Sequence, residues 1–277
     1  MYGTNGRFDL ERCYYITEML ALIPILSFTA LSGILSVSIA GLFLLLPERQ
    51  RLRVLPHMVS FATGALLATA LLALIPHAVL LAGPFHVHSI GLALLLGISL
   101  FFVLEKFLLW RHCHTEAVES HDAHEHHRRH ATGWLLLIGD ALHNFLDGLL
   151  IAAAFLTDFN LGVVTIFAIM AHEIPQEVGN FAVLLHAGFT PIRALTLNIL
   201  VSFTAVLGAV VGWLVLSSAQ EWQPYALAVA AASLIYVAVA DLIPGLHRRT
   251  DMRESFAQVL WIALGVALVM WAESLLH

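Results

Sequence analysis

Long apolar stretches dominate the pattern of hydrophobic and polar positions along the chain. They are about twenty or more residues long and are separated by short polar segments, and a helix of about 20 residues crosses the ~30 Å hydrocarbon core of a bilayer. The pattern therefore predicts an all-α fold, a polytopic membrane bundle of eight transmembrane helices. The predicted spans are 16–46, 57–80, 88–110, 132–157, 161–187, 192–216, 225–246 and 256–276.

Composition supports this prediction and narrows the class of protein. Of the 277 residues, 60% are hydrophobic and 12% are charged, whereas an average soluble chain has about 25% charged residues. The long apolar stretches exclude a soluble enzyme, a disordered regulator and a secreted disulfide scaffold. The two cysteines also cannot form a disulfide framework. The chain has no basic block of the kind that nucleic-acid binding requires, so we expect membrane lipid and no nucleic acid among its partners.

Lysine and arginine are unevenly distributed between the two sides of the predicted bundle. The terminal segments and the loops on their side contain Arg7 and Arg12, while the opposite side contains the other eleven basic residues. Basic residues accumulate on the cytoplasmic side of a membrane. We therefore expect both termini to be extracytoplasmic. The expected location is the plasma (inner) membrane. Residues 1–17 lack the features of a cleaved signal peptide, so the first span is predicted to be retained.

One connecting segment has an unusual composition. Residues 111–131, between the third and fourth spans, contain seven histidines, Cys113 and four carboxylates. We interpret residues 1–277 as a single transmembrane domain that contains 111–131 as a histidine-rich cytoplasmic loop. Weak binding of zinc or a similar ion by this loop is expected.

The fourth and fifth spans carry polar groups near their centres, where a charge costs at least a few kcal/mol. In the fourth span, His143 and Asp147 are four residues apart and share a face, which Asn144 flanks. A role for Asp140, one turn nearer the cytoplasm, is equally compatible with a hydrogen bond in the bundle and with metal binding.

The fifth span repeats this arrangement at a similar depth. His172 and Gln176 share one face of the predicted helix, and Glu173 and Glu177 share the adjacent face. If the two spans face each other, they form a site rich in oxygen and nitrogen that suits a divalent first-row metal. The candidate metal ligands are His143, Asn144, Asp147, His172, Glu173, Gln176 and Glu177.

These two segments resemble the ZIP (Zrt/Irt-like) family of metal transporters. HNFLDG at 143–148 and HEIPQE at 172–177 carry the resemblance, supported by eight spans, external termini and the histidine-rich loop. The resemblance implies import of a divalent cation towards the cytoplasm, with zinc the expected substrate and iron, manganese and cadmium also compatible. The metal is cargo, and no catalytic cofactor is expected.

The resemblance also implies a binuclear centre. By position, the first site would contain His143, Asp147, His172 and Gln176, and the second would contain Asn144, Glu173 and Glu177, with Gln176 close enough to bridge them. The chain departs from the family pattern where Gln176 replaces the histidine or glutamate of many relatives. Asn180 likewise replaces a common acid, and Thr69 and Ala73 replace an aspartate and a histidine.

Two other classes of function are compatible with parts of the sequence. HEIPQ is similar to the HExxH motif of zinc proteases, which would make the chain an intramembrane metalloenzyme, but Gln176 replaces the second histidine and Pro175 interrupts the motif. A metal sensor that works through the histidine-rich loop is the second alternative. Gly208 and Gly212 form a GxxxG pair that is compatible with a homodimer, although one pair is weak support.

Overall fold

A computed structural model describes residues 5–116, 125–248 and 251–276, with side chains for 21–106, 133–248 and 251–275. These described residues form helices joined by short connections and contain no strand. Eight stretches within them are long and apolar enough to cross a membrane, which confirms the predicted fold class and number of spans. The helices are α1 (Asn5–Leu44), α2 (Glu48–Ala82), α3 (Val87–Glu116), α4 (Glu125–Thr157), α5 (Phe159–His186), α6 (Pro191–Ser218), α7 (Gln220–His247) and α8 (Met252–Leu276).

Capping residues fix the ends of α5 within the helical hairpins on either side of it. The Asp158 carboxylate accepts a hydrogen bond from the Leu161 N–H at 3.0 Å, which caps the N-terminus of α5. At the other end, Gly188 has a φ of 89°, and the Phe189 N–H donates back to the Leu184 carbonyl. Pro191 then starts α6 at a position where its missing N–H costs nothing. These short connections make α4, α5 and α6 antiparallel neighbours.

Helices α2 and α7 each contain a wider, π-helical turn before a proline. The turns span Thr69–Leu74 and Val237–Leu242, and an Ile-Pro pair follows each of them. Proline has no N–H and so breaks the α-helical ladder, and a π turn is one way in which a helix accommodates that break. Both helices continue across the predicted span in spite of the proline.

Small residues allow α4 and α6 to approach closely. A Cβ atom added to Gly148 would collide with the Ala205 carbonyl, and one added to Gly208 would collide with the Phe145 carbonyl. The Thr204 hydroxyl also donates to the Ala141 carbonyl at 2.8 Å. The GxxxG pair of α6 therefore packs against α4 of the same chain, which removes its support for a homodimer.

The fifth helix lies in the middle of the bundle. In its most apolar window 67% of the residues are buried, compared with 11% for α3 and for α8. It packs against α1, α2, α4, α6 and α8. The polar groups near the middle of α5, His172, Glu173 and Glu177, are consequently enclosed by other helices.

Candidate metal centre

Four side chains from α4 and α5 converge on one point inside the bundle. His143 and Asp147 are contributed by α4, and His172 and Glu173 by α5. One donor atom from each lies within 4.8 Å of all the others. The two helices thus face each other through the faces that the sequence predicts, and these four residues form what we call the metal centre.

The spacing of the donor atoms fits a small divalent cation. The Nε2 atoms of His143 and His172 are 3.3 Å apart. His143 Nε2 is 3.7 Å from Asp147 Oδ2 and 3.3 Å from Glu173 Oε1, and His172 Nε2 is 3.4 Å and 3.6 Å from the same two oxygens. Ligands at about 2.1 Å from a tetrahedral zinc ion are separated by about 3.4 Å. A calcium ion needs six to eight oxygens at longer distances, which this set does not provide.

Unbalanced negative charge also favours a cation at this point. Spans 133–157 and 159–186 contain four carboxylates in their interiors and no lysine or arginine. Asp147 Oδ2 and Glu173 Oε1 are buried and have no hydrogen-bond partner among the described residues. Buried carboxylates require a compensating charge, since an isolated ion in an apolar interior is very costly. A divalent cation between the two imidazoles and the two carboxylates would supply it.

The helix backbone orients the imidazole of His172. His172 Nδ1 lies 3.4 Å from the Ala168 carbonyl, one turn back on the same helix. Donation from Nδ1 would leave Nε2 available to a metal, a common outer-shell arrangement. His143 is the most accessible member of the centre, with 23% of its side chain exposed against 1% for His172. The centre is therefore open on the side of His143.

Of the other three predicted ligands, Glu177 is not among the four converging residues, and Asn144 and Gln176 both bond to Asp140. The Gln176 amide donates to Asp140 Oδ1 at 2.9 Å, and the Asn144 amide donates to the Asp140 carbonyl at 3.1 Å. Both carboxylate oxygens of Glu177 are buried without a hydrogen-bond partner in the described part of the chain. Ligation by all seven predicted residues, and the division into two sites, remain predictions.

Asp140 is more closely connected to the predicted ligands than the sequence indicates. Its carboxylate and its carbonyl fix the amide groups of Gln176 and Asn144. Only 5% of the residue is exposed. In the sequence, Asp140 precedes His143 by three residues and Asn144 by four, which places it close to both on the helix. This spacing could not distinguish a hydrogen bond from metal binding.

A small cavity next to the centre includes residues that the sequence analysis missed. It is lined by Ser32 and Ser36 of α1, together with Asn144, Asp147 and Glu173. Ser32 and Ser36 are four residues apart in an apolar span, and Thr29 continues the same face. This spacing could have indicated that the serines face the site. However, small hydroxyl residues in membrane helices commonly form hydrogen bonds to their own helix, so the spacing was not specific.

The histidine-rich segment 111–131 lies outside the residues whose side chains the structure describes. The same holds for Cys13 and Cys113. The expectation of weak metal binding by this loop therefore stays a prediction.

The fold and the centre together define an integral membrane protein whose helical bundle encloses a site suited to a divalent cation. The family model described as ZIP zinc transporter matches residues 111–272, which include both histidine motifs. The chain belongs to the ZIP family.

Curated relatives agree with this assignment. The chain is 42% identical over 120 residues to zinc transporter ZIP4 of Rattus norvegicus, covering 43% of this chain and 18% of that protein. It is 30% identical over 230 residues to zinc transporter ZIP13 of Pongo abelii, covering 78% of this chain and 66% of the relative. Zinc transporter foi of Drosophila melanogaster is 33% identical over 141 residues, which are 50% of this chain and 20% of the relative. The chain thus spans less than two thirds of the length of these relatives.

Proposed function

We propose that this protein carries divalent cations, with zinc as the main substrate, across the membrane into the cytoplasm. The observation that carries this proposal is the convergence of two imidazoles and two carboxylates, at tetrahedral spacing, between two membrane-spanning helices. Membership of the ZIP family and the names of the related zinc transporters support it. Iron, manganese and cadmium are the alternative substrates, because imidazole and carboxylate ligands also accept them.

The proposed mechanism is alternating exposure of the metal centre to the two sides of the membrane. His143, Asp147, His172 and Glu173 bind the cation, and Asn144, Gln176 and Glu177 extend the site towards a second cation. Metal binds to deprotonated imidazole and carboxylate, so binding becomes weaker as the pH falls. The proposed location is the plasma (inner) membrane, with both termini extracytoplasmic, so that the histidine-rich loop lies where the cation emerges.

A metalloenzyme of the zinc-protease type is less well supported than a transporter. In HEIPQ the position of the second histidine is occupied by Gln176, whose amide group is bonded to Asp140. Glu173, which would be the general base of such an enzyme, lies among the metal-binding atoms instead. The family assignment also favours transport over catalysis.

The direct test is metal uptake into liposomes that contain the purified protein, with zinc, iron, manganese and cadmium compared across a pH series. We expect saturable zinc uptake that decreases on acidification. Uptake of none of the four metals above the level of protein-free liposomes would contradict transport. Zinc binding without uptake would favour a sensor, and cleavage of a substrate protein in detergent would favour a metalloenzyme.

A further inference from the structure

A row of hydroxyl side chains on α1 faces the interior of the bundle. Thr29, Ser32 and Ser36 share one face of the helix, and each is at most 6% exposed. The Thr29 hydroxyl donates to the Ile25 carbonyl at 2.6 Å, and the Ser32 hydroxyl donates to the Thr29 carbonyl at 2.9 Å. Ser36 Oγ differs from both, because it has no hydrogen-bond partner within the described ranges.

Ser36 lies beside the cavity that borders the metal centre. The cavity has a volume of about 10 Å³ and is lined by Ser36, Asn144, Asp147 and Glu173, among others. Such a volume accommodates about one water molecule when several polar groups surround it. A buried hydroxyl without a hydrogen-bond partner destabilises the folded protein by about 1–3 kcal/mol. A molecule in the cavity that forms a hydrogen bond with Ser36 would remove this cost.

We propose that Ser36 is a further residue of the metal centre and that it holds a water molecule bound to the cation. The water oxygen coordinates the cation on the side of Asn144 and Glu173, and one of its hydrogens is donated to Ser36 Oγ. This proposal rests on the proposed function, because it assumes that the centre binds a divalent cation. It adds α1 to the two helices whose motifs identify the site.

The carboxylates make this position suitable for a bound water. Asp147 Oδ2 and Glu173 Oε1 have no hydrogen-bond partner in the described part of the bundle, and both residues also line the cavity. A cation held by the four side chains of the metal centre would take a water on the cavity side as a fifth ligand, an expansion of the coordination shell that zinc accepts. A water in that position coordinates the metal ion through its oxygen and donates a hydrogen bond to Ser36 Oγ.

Zinc titration of the purified protein by calorimetry tests the role of the hydroxyl. Loss of a hydrogen-bond partner of a metal ligand typically lowers metal affinity by about 10–100-fold. We therefore expect Ser36→Ala to weaken zinc binding by about tenfold or more. The matched control is Thr29→Val, which removes a buried hydroxyl of the same face that already bonds to its own helix, and it should leave the affinity within about twofold. An equally small effect of Ser36→Ala would overturn the proposal.

A cysteine at the same position provides a test that does not depend on small changes in affinity. In a protein with Cys13→Ser and Cys113→Ser, Ser36→Cys places a soft thiol beside the centre, where it can displace the water and bind cadmium. We expect cadmium to produce the ultraviolet charge-transfer absorption of a cadmium thiolate in this variant and not in Thr29→Cys. Absorption in neither variant, or in both, would overturn the position assigned to Ser36.

These outcomes are distinguishable from failure of the proposed function. Titration and cadmium absorption measure binding, whereas the liposome experiment measures transport. Zinc binding that depends on Ser36, combined with no uptake, would support the Ser36 site and refute transport. Absence of zinc binding by the unmodified protein would refute both.

Discussion

At the residue scale, the proposed metal centre depends on four side chains. Replacing one of them with an apolar residue would remove a ligand and leave the charge of the cation less well compensated. We expect His143→Ala, Asp147→Ala and Glu173→Ala each to lower initial zinc uptake by at least about tenfold, the effect that loss of an outer-shell partner alone can produce. Expression should stay nearly normal. Uptake in liposomes, normalised to the amount of inserted protein, measures the effect.

Leu142→Ala is the matched control for these variants. Leu142 precedes His143 on α4 but is 37% exposed, so its truncation should leave uptake nearly unchanged. Uptake close to that of the unmodified protein in all three ligand variants would exclude the proposed centre from the transport path.

Gln176 offers a second test at this scale. If its amide oxygen coordinates metal, Gln176→Glu should tighten zinc binding by adding a negative charge, and Gln176→His should shift preference towards metals that favour imidazole. Gln176→Glu also loses the donor that reaches Asp140 Oδ1. In the double variant Gln176→Glu with Asp140→Asn, the new amide at position 140 can donate to the new carboxylate, so this variant is the control for that loss.

Calorimetry and competitive uptake of zinc, manganese and cadmium measure the Gln176 variants. If both of them keep the affinity, rate and selectivity of the unmodified protein, Gln176 does not contact the cation.

At the scale of the elements, α4 packs closely against α6 while it also contacts α5. Gly148 allows α4 and α6 to touch through their backbones. We expect Gly148→Ala to destabilise the protein by about 1–3 kcal/mol, the usual cost of overpacking. The thermal unfolding midpoint in detergent, followed by size-exclusion chromatography, should fall.

Gly179→Ala is the control for this variant. Gly179 lies within α5, where an added Cβ meets nothing within 4 Å. Alanine in a helix is favoured over glycine by about 0.5–1 kcal/mol, so this variant should be neutral or slightly stabilising. Equal midpoints for Gly148→Ala and Gly179→Ala would show that the close contact of α4 with α6 does not limit stability.

At the scale of the whole molecule, the distribution of basic residues predicts the orientation in the membrane. In a protein without Cys13 and Cys113, single cysteines at positions 84, 159 and 221 should react with a membrane-impermeant reagent added outside intact cells. Cysteines at 52 and 122 should react only after permeabilisation. The reverse pattern would invert the topology and, with it, the proposed direction of transport.

The histidine-rich segment is predicted to act after transport rather than in it. Replacing all seven histidines of 111–131 with serine should leave initial uptake within about twofold, since surface substitutions usually change free energies by no more than about 0.5 kcal/mol. Retention or metal-dependent regulation should change instead. Complete loss of initial uptake with normal expression would place the segment on the transport path.

The eight spans and the helices that carry the metal centre could be predicted from the sequence. The apolar stretches fix the number of spans, because a bilayer requires a helix of a given length regardless of how the helices pack. Spacings of one and four residues put His143 with Asp147, and His172 beside Glu173, at similar depths. Helical periodicity is local, so these relations do not depend on tertiary contacts.

Only the tertiary structure decided which donor atoms meet. Glu173 lies with the two imidazoles and Asp147, and the Gln176 amide nitrogen donates to Asp140. The GxxxG pair of α6 packs inside the chain, and Ser36 reaches the cavity from a helix more than a hundred residues away in sequence. Helix rotation and contacts between distant segments depend on packing of the whole bundle, and a periodic pattern in one helix does not specify them.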